Sequence, residues 1–307
     1  MLRHIIAYTI FLSLCLSANM TEYKITPKQF ASSKYMSINI LDSKELKFEA
    51  ISGIEVTELS ALAYRDDILY ALSDKGYLYH FDISIINSKI KKLTLLKAFK
   101  LKTQKNKVLK KKKRDAEGMA FLGDNLLVSF ERKHRVELFS LNAVNIKKQK
   151  INKDLRDRKN YHSKNKGLEA VMYSEKYGVI TAPELPLKQE NREYHTLYAK
   201  DKTWKFEADG SITALEFIDK NRILVLLREF NDLTRNRVTT LSEVYLNRCK
   251  NGVCESKILA QLDSSDGFNI DNFEGLTKVG KNRYLMVSDD NGSFFQKTLL
   301  VLFEIVD

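Results

Sequence analysis

The chain has 307 residues, 44% of them hydrophobic, with only 3 Pro and 12 Gly. That suffices for a large core in one domain or two smaller ones, and it excludes a disordered, collagen-like or mucin-like chain. The net charge is +12, from 51 Lys+Arg against 39 Asp+Glu, a surplus that points to an anionic partner of some kind.

The first element reads as a targeting segment. Arg3 and His4 give a short basic start, Ile5 to Leu16 is an almost unbroken apolar run, and the small residues Ser17 and Ala18 precede polar Asn19. The run is too short to span a bilayer comfortably. The reading is a secretory signal peptide over residues 1–18, cut after Ala18, with a mature domain over 19–307. The alternatives are an uncleaved anchor or lipidation at Cys15, although Leu14 stands where a lipoprotein signal needs a small residue. No later stretch is long and apolar enough to cross a membrane. The expected location is periplasmic or secreted. In that setting the positive charge favours an anionic small molecule, a phosphoester or the cell envelope, and no nucleic acid. The expected state is a monomer.

A repeat follows. Five segments share a short apolar strand, a polar turn and a second strand rich in Leu, Val and Ile. They start at Ser60, Glu117, Glu169, Thr213 and Glu274, spaced 57, 52, 44 and 61 residues apart. Each is a β-hairpin by pattern, and each is followed by a further strand, beginning at Tyr77, Val136, His195, Leu241 and Leu299. A four-stranded sheet takes about 40 to 50 residues, so these units are the size of propeller blades with insertions. The expected fold is all-β, a single β-propeller of five or six four-stranded blades. Two strand-like stretches, Tyr35–Leu41 and Leu46–Ala50, are expected to complete the sheet begun by the C-terminal strand, removing two open edges. A two-domain β protein is the competitor, but no Pro/Gly-rich linker marks a boundary. Lys100–Arg114 and Asn145–Lys166 break the pattern and read as exposed basic loops. Within the first, Lys110 to Arg114 is either a solvated run or a phosphate attractor.

Cys249 and Cys254 flank Asn251-Gly252, a strong signal for a tight turn with positive φ. The strand-like Glu243–Leu246 and Ser256–Leu259 lie on either side. The two thiols therefore face each other across a hairpin, and export favours a structural disulfide.

The repeat also orders the acidic residues. Three of five hairpins begin with glutamate: Glu117, Glu169 and Glu274. Their second strands end at Ser73-Asp74, Phe130-Glu131, Pro183-Glu184, Arg228-Glu229 and Ser288-Asp289-Asp290-Asn291. The two strands of a hairpin are antiparallel, so its beginning and end share one side, opposite the turn. All these groups are expected at one mouth of the central channel. Clustered carboxylates repel, and a hard cation such as Ca²⁺, which takes six to eight oxygens in loose geometry, resolves the conflict. The other reading is structural: caps for neighbouring blades, or partners for Arg228. Asp66, Asp124 and Asp219 fall at the opposite turns and read as turn formers.

Three segments, Asp115-Ala116-Glu117-Gly118-Met119-Ala120, Asn165-Lys166-Gly167-Leu168-Glu169-Ala170 and Asn272-Phe273-Glu274-Gly275-Leu276, together with Val287-Ser288-Asp289-Asp290-Asn291, resemble signature segments of the phytase-like family (esterase-like activity of phytase). Ile51-Ser52-Gly53-Ile54 is similar to that family's opening motif. The resemblance runs from about Ile51 to the end. It implies an exported β-propeller with phosphoester or ester hydrolysis and calcium dependence. It assigns Glu117, Glu131, Asn165, Glu169, Arg228, Glu274, Asp289 and Asn291 as site candidates. Ser60, where the other blades carry Glu, departs from a symmetric metal ring. In a phosphoesterase of this kind Arg228 would stabilise charge on the phosphoryl group. Glu117 or Glu169 would be the general base. Glu131, Asn165, Glu274, Asp289 and Asn291 would hold the cation. No G-x-S-x-G occurs, which disfavours a serine esterase. A non-catalytic propeller binding an envelope polymer or protein, and a calcium-dependent lactonase, are the alternatives.

Overall fold

The structure is a computed structural model that describes residues 16–28, 30, 33–49, 54–163 and 165–306. The apolar run of the expected leader, Cys15 and most of the opening motif lie outside these residues. The described residues begin with two short strands, β1 (Leu16–Ser17) and β2 (Asn19–Glu22), then β3 (Lys34–Tyr35) and the long β4 (Ile38–Lys47). The first unit is β5 (Leu59–Arg65), β6 (Ile68–Ser73), β7 (Tyr77–Ile86) and β8 (Lys89–Lys100). The second is β9 (Ala116–Leu122), β10 (Asn125–Phe130), β11 (Arg135–Phe139) and β12 (Asn145–Lys148). The third is β13 (Leu168–Ser174), β14 (Gly178–Pro183), β15 (Tyr194–Tyr198) and β16 (Thr203–Glu207). The fourth is β17 (Ser211–Asp219), β18 (Arg222–Phe230), β19 (Arg237–Lys250) and β20 (Val253–Asp263). The last is β21 (Asn272–Gly280), β22 (Arg283–Asp289) and β23 (Thr298–Ile305), completed by β4.

Each unit is an antiparallel meander, and every repeat hairpin read from the sequence forms. β4 pairs with β23 from Ile38↔Ile305 to Leu46↔Thr298. The N-terminal segment thus closes the sheet begun by the C-terminal one, as one continuous strand rather than two. β1 lies on the outer edge of β8, with Leu16↔Leu95 and Ser17↔Thr94. The disulfide joins Cys249 to Cys254 at the end of the β19–β20 hairpin, where Asn251 and Gly252 adopt φ values of 54° and 81°.

Burial on both faces of each sheet explains the unbroken apolar runs. In β18, Leu224 and Leu226 join a core shared with the last unit, while Ile223, Val225 and Leu227 join one shared with the third. In β22, Tyr284 and Met286 face the fourth unit, and Leu285 and Val287 face the first. The cores between first and second and between second and third units complete the cycle. Strand residues alternate sides, so a strand covered on both faces must be apolar at every position. The first strands of the units touch in the cyclic order β5, β9, β13, β17, β21 and back to β5. The architecture is all-β, built of four-stranded sheets in a propeller-like array.

Two sequence expectations need correction. Asn145–Lys166 is not one exposed loop: its first residues are β12, the outer strand of the second unit. The segment beyond it makes two single-turn 3₁₀ helices and buries Ile151, Leu155 and Tyr161 against that unit. Likewise Leu101 and Leu109 of the first segment are buried. Residues 104–108 and 110–113 match the expectation of exposure, with Lys111–Lys113 a 3₁₀ turn.

Candidate functional site

The channel is lined by all five first strands. Residues such as Ser60, Glu117, Val171, Thr213 and Glu274 surround a cavity of ≈ 10 Å³, roughly room for one water. Its narrowness follows from close strand packing. Ser60 Oγ donates to Ala116 O at 2.7 Å, Ser129 Oγ to Glu169 O at 2.8 Å and Thr213 Oγ1 to Phe273 O at 3.2 Å. At the repeat positions where Ser or Thr replaces Glu, the side chain therefore ties its strand to the next one. The axis itself is too tight for anything larger than a water.

At the mouth the carboxyls converge. Asp115, Glu117 and Glu131 each place an oxygen within 4.8 Å of the others, and Glu131, Glu169 and Glu184 do the same. Glu131 follows β10, and Glu169 stands at the start of β13. Gly167 allows the approach, because a Cβ there would lie 2.4 Å from Glu131 O. Beside the second group Arg228, near the end of β18, meets Glu274 at 3.1 Å and Glu184 at 3.6 Å. Arg228 also donates to Asn272 Oδ1, and Asn272 Nδ2 donates to Glu274 at 2.8 Å. Lys166 Nζ reaches Glu184 at 2.6 Å, and Arg132 lies 2.7 Å from Asp115.

These cations do not balance the acids. Burial, then Glu169 and Glu274, push Glu117 well above the usual carboxylate range. Glu169 rises through burial and the negative charge of Glu184 and Glu131. Burial and a hydrogen bond with Asp115 push Glu131 up to about 8. Asp289, raised by burial and by Glu274, goes to about 9. Asp74, raised by burial and by its bond to Glu58, goes to about 8. Glu274 rises least simply: burial lifts it while Arg228 pulls it down. Glu117 keeps partial exposure toward the channel, yet protein surrounds that channel, so burial still dominates its shift.

The donor set suits a hard cation. Every group is a carboxylate oxygen, several are nine-tenths buried, and Asp74 Oδ1 is buried without a hydrogen-bond partner. Soft-metal ligands are missing from both clusters. Asp115, Glu117 and Glu131, or Glu131, Glu169 and Glu184, are the groups that could hold such an ion in loose geometry.

Of the residues named from sequence, Glu117, Glu131, Glu169, Arg228, Glu274 and Asp289 gather here. Asn165 and Asn291 do not reach the cluster through any side-chain contact among the described residues. Asn165 is exposed, and its neighbour Lys166 makes the contact instead. Asn291 is an exposed turn residue at φ 49° whose N–H donates to Asp289. Sequence reasoning left out Asp115 and Glu184 as ligands, and Asp74 and Glu58 as further acids at the mouth. The first lies inside a quoted motif, and Glu184 and Asp74 stand at hairpin ends in the same repeat, so the signal was present. Glu58 carries no such signal; it pairs with Lys75 at 2.5 Å from the segment before β5. The turn formers behave as expected, with Asp219 accepting from Asn221 and Arg222.

The sequence matches the phytase-like family, described as esterase-like activity of phytase, over residues 54–292. The chain belongs to this family. The phytase-like match covers all five repeat hairpins and every site residue above. No curated protein matches the sequence. Among solved structures, the phytase-like chain is similar to glutaminyl cyclase from Myxococcus xanthus, at 12% identity over 88% of this chain and 97% of that one, with a TM-score of 0.45. It is also similar to U3-55K (6% identity, 86% and 98% covered, TM-score 0.45) and to the Dos1 propeller (10% identity, 85% and 72% covered, TM-score 0.36).

Proposed function

We propose that this chain is an exported, cation-dependent phosphoesterase on a single five-bladed propeller, acting at the carboxylate-lined mouth. The observation that supports it most is the pairing of an over-acidic, all-oxygen cluster with Arg228 at the same opening. A hard cation there, Ca²⁺ by its donor preference, would supply charge neutralisation of phosphate oxygens and a more acidic water.

The residues of the chain do the rest. Arg228, held by Glu274, Glu184 and Asn272, presents a fixed guanidinium to an anionic group. Its fork matches two phosphate oxygens and stabilises charge that develops there. Glu117 and Glu169, raised above the usual carboxylate range by burial and neighbouring acids, would take a proton from water once a bound cation holds them ionised, as a general base must be. Glu131 and Asp289 serve the cation, with Asp115 and Glu184 joining from the structure. The narrow channel beneath keeps substrate at the surface.

The test is turnover of a generic phosphomonoester by purified mature protein. Activity should vanish with chelator and return with Ca²⁺. Metal analysis of Glu131→Gln should show loss of bound cation at unchanged folding, since Glu131 belongs to both carboxylate groups. No turnover across a phosphoester panel with added Ca²⁺ would sink the proposal.

A further inference from the structure

Two loops continue outward from the site and end in exposed apolar tips. Five residues beyond Arg228, Leu233 is 95% exposed; just beyond Asp289, Phe294 and Phe295 are 98% and 91% exposed. Such side chains rarely stand in water without a partner surface. Together they expose on the order of 400–500 Å².

The loops are built, not loose. In the first, Asn231 Oδ1 accepts from Leu233 N and Thr234 N, and Arg235 N closes back on Asn231 O at 2.8 Å. In the second, Ser293 N donates to Asp290 O at 2.8 Å, and the two phenyl rings stand edge to face with centroids 5.9 Å apart. Buried Asp271 joins the two bases: it lies 3.6 Å from Arg237 and accepts from Lys297 N at 2.8 Å and Gln296 Nε2 at 3.2 Å. Both loops leave strand ends on the face that carries the mouth, since β18 and β22 each end opposite their hairpin turns.

Cations lie on the same face. Arg235 and Arg237 lie over Phe230 beneath the first tip. The chain between β8 and β9 also returns to the mouth face, because β9 begins there, and it carries exposed Lys110 to Lys113. Apolar tips amid Lys and Arg match an anionic lipid interface, where rings enter the headgroup layer and cations meet phosphates. We propose that this face docks the protein onto an anionic phospholipid bilayer, with Leu233, Phe294 and Phe295 entering the interface. The claim needs no catalysis and stands apart from the hydrolase reading.

The test uses the mature protein and vesicles of phosphatidylcholine with or without phosphatidylglycerol. Co-sedimentation should occur only with the anionic lipid and fall with salt. Replacing Leu233, Phe294 or Phe295 by Ser should weaken binding by roughly tenfold each, with melting unchanged because the tips touch solvent. Replacing Lys111, Lys112 and Lys113 by Ala should weaken it by roughly fivefold per lysine in contact. Phe294→Trp should show a blue-shifted emission on anionic vesicles, against a constant signal from Trp204, which is buried. Absence of binding to anionic vesicles overturns the proposal. Binding that depends on the lysines but not on the tips also overturns it, since that is surface adsorption. Tip variants that lose a soluble protein partner while the parent ignores lipid assign the face to protein instead.

Discussion

Removing cations should make the folded chain less stable as pH rises through neutrality. Glu131, nine-tenths buried beside Asp115, has its carboxyl pushed up to about 8. In the unfolded chain it titrates in the ordinary range. Between those two values the folded state holds a proton that the unfolded state has released, so stability falls with pH. The contribution is complete below the ordinary carboxylate range and gone above about 8. A displacement of that size corresponds to at most about 5 kcal/mol. Neighbouring carboxyls share the proton, so about 2–5 kcal/mol is expected, or roughly 5–15 °C in melting temperature. The assay is thermal unfolding in chelator from about pH 5 to about pH 8, on the parent and on Glu131→Gln. The parent should lose stability across the window and the variant should lose clearly less. Added Ca²⁺ should act oppositely, most strongly at the alkaline end, where it binds ionised carboxyls; about 2.7 kcal/mol is expected at a hundredfold excess over its dissociation constant. A flat or rising profile for the parent in chelator would refute the idea that the mouth is over-acidic, and with it the physical need for a cation.

Other outcomes follow from the same geometry. Arg228→Met should cost about 3–5 kcal/mol of stability, because Glu274 and Glu184 lose their shared cation, and should lower phosphomonoester turnover by about a hundredfold or more; unfolding midpoints and steady-state rates check the two effects. Gly118→Ala should destabilise by about 1–3 kcal/mol, since its Cβ would meet Glu169 O at 2.4 Å; denaturant unfolding reads it, and cation affinity should fall with it because Glu117 and Glu169 flank the clash. Cys249→Ser should cost about 2 kcal/mol for so short a loop and leave activity intact, because the disulfide joins the far end of an outer hairpin; a loss of turnover in folded protein would contradict that placement.

How much was legible in the sequence depended on the physics behind each signal. The hairpins were, because Ile223 to Leu227 and Tyr284 to Val287 must be apolar at every position to be covered on both faces. The outer strands were less so. β12, with sequence Asn-Ile-Lys-Lys, buries none of its residues and reads as loop. Glu117, Glu169 and Glu274 shared a repeat position, so their common side could be inferred from antiparallel pairing alone. Glu58 and Lys166 lay outside any repeat, and no spacing rule reaches them.

The sequence by itself determined the all-β repeat, the side on which the acids emerge and the Cys249–Cys254 pairing, since each follows from local alternation and turn chemistry. Only the tertiary structure decided which carboxyls share a field. Whether Glu131 meets Glu169 and Glu184, while Glu274 is claimed by Arg228, depends on how far each sheet is rotated about the axis. That rotation is set by the packing of five separate cores against one another, and no stretch of sequence contains it.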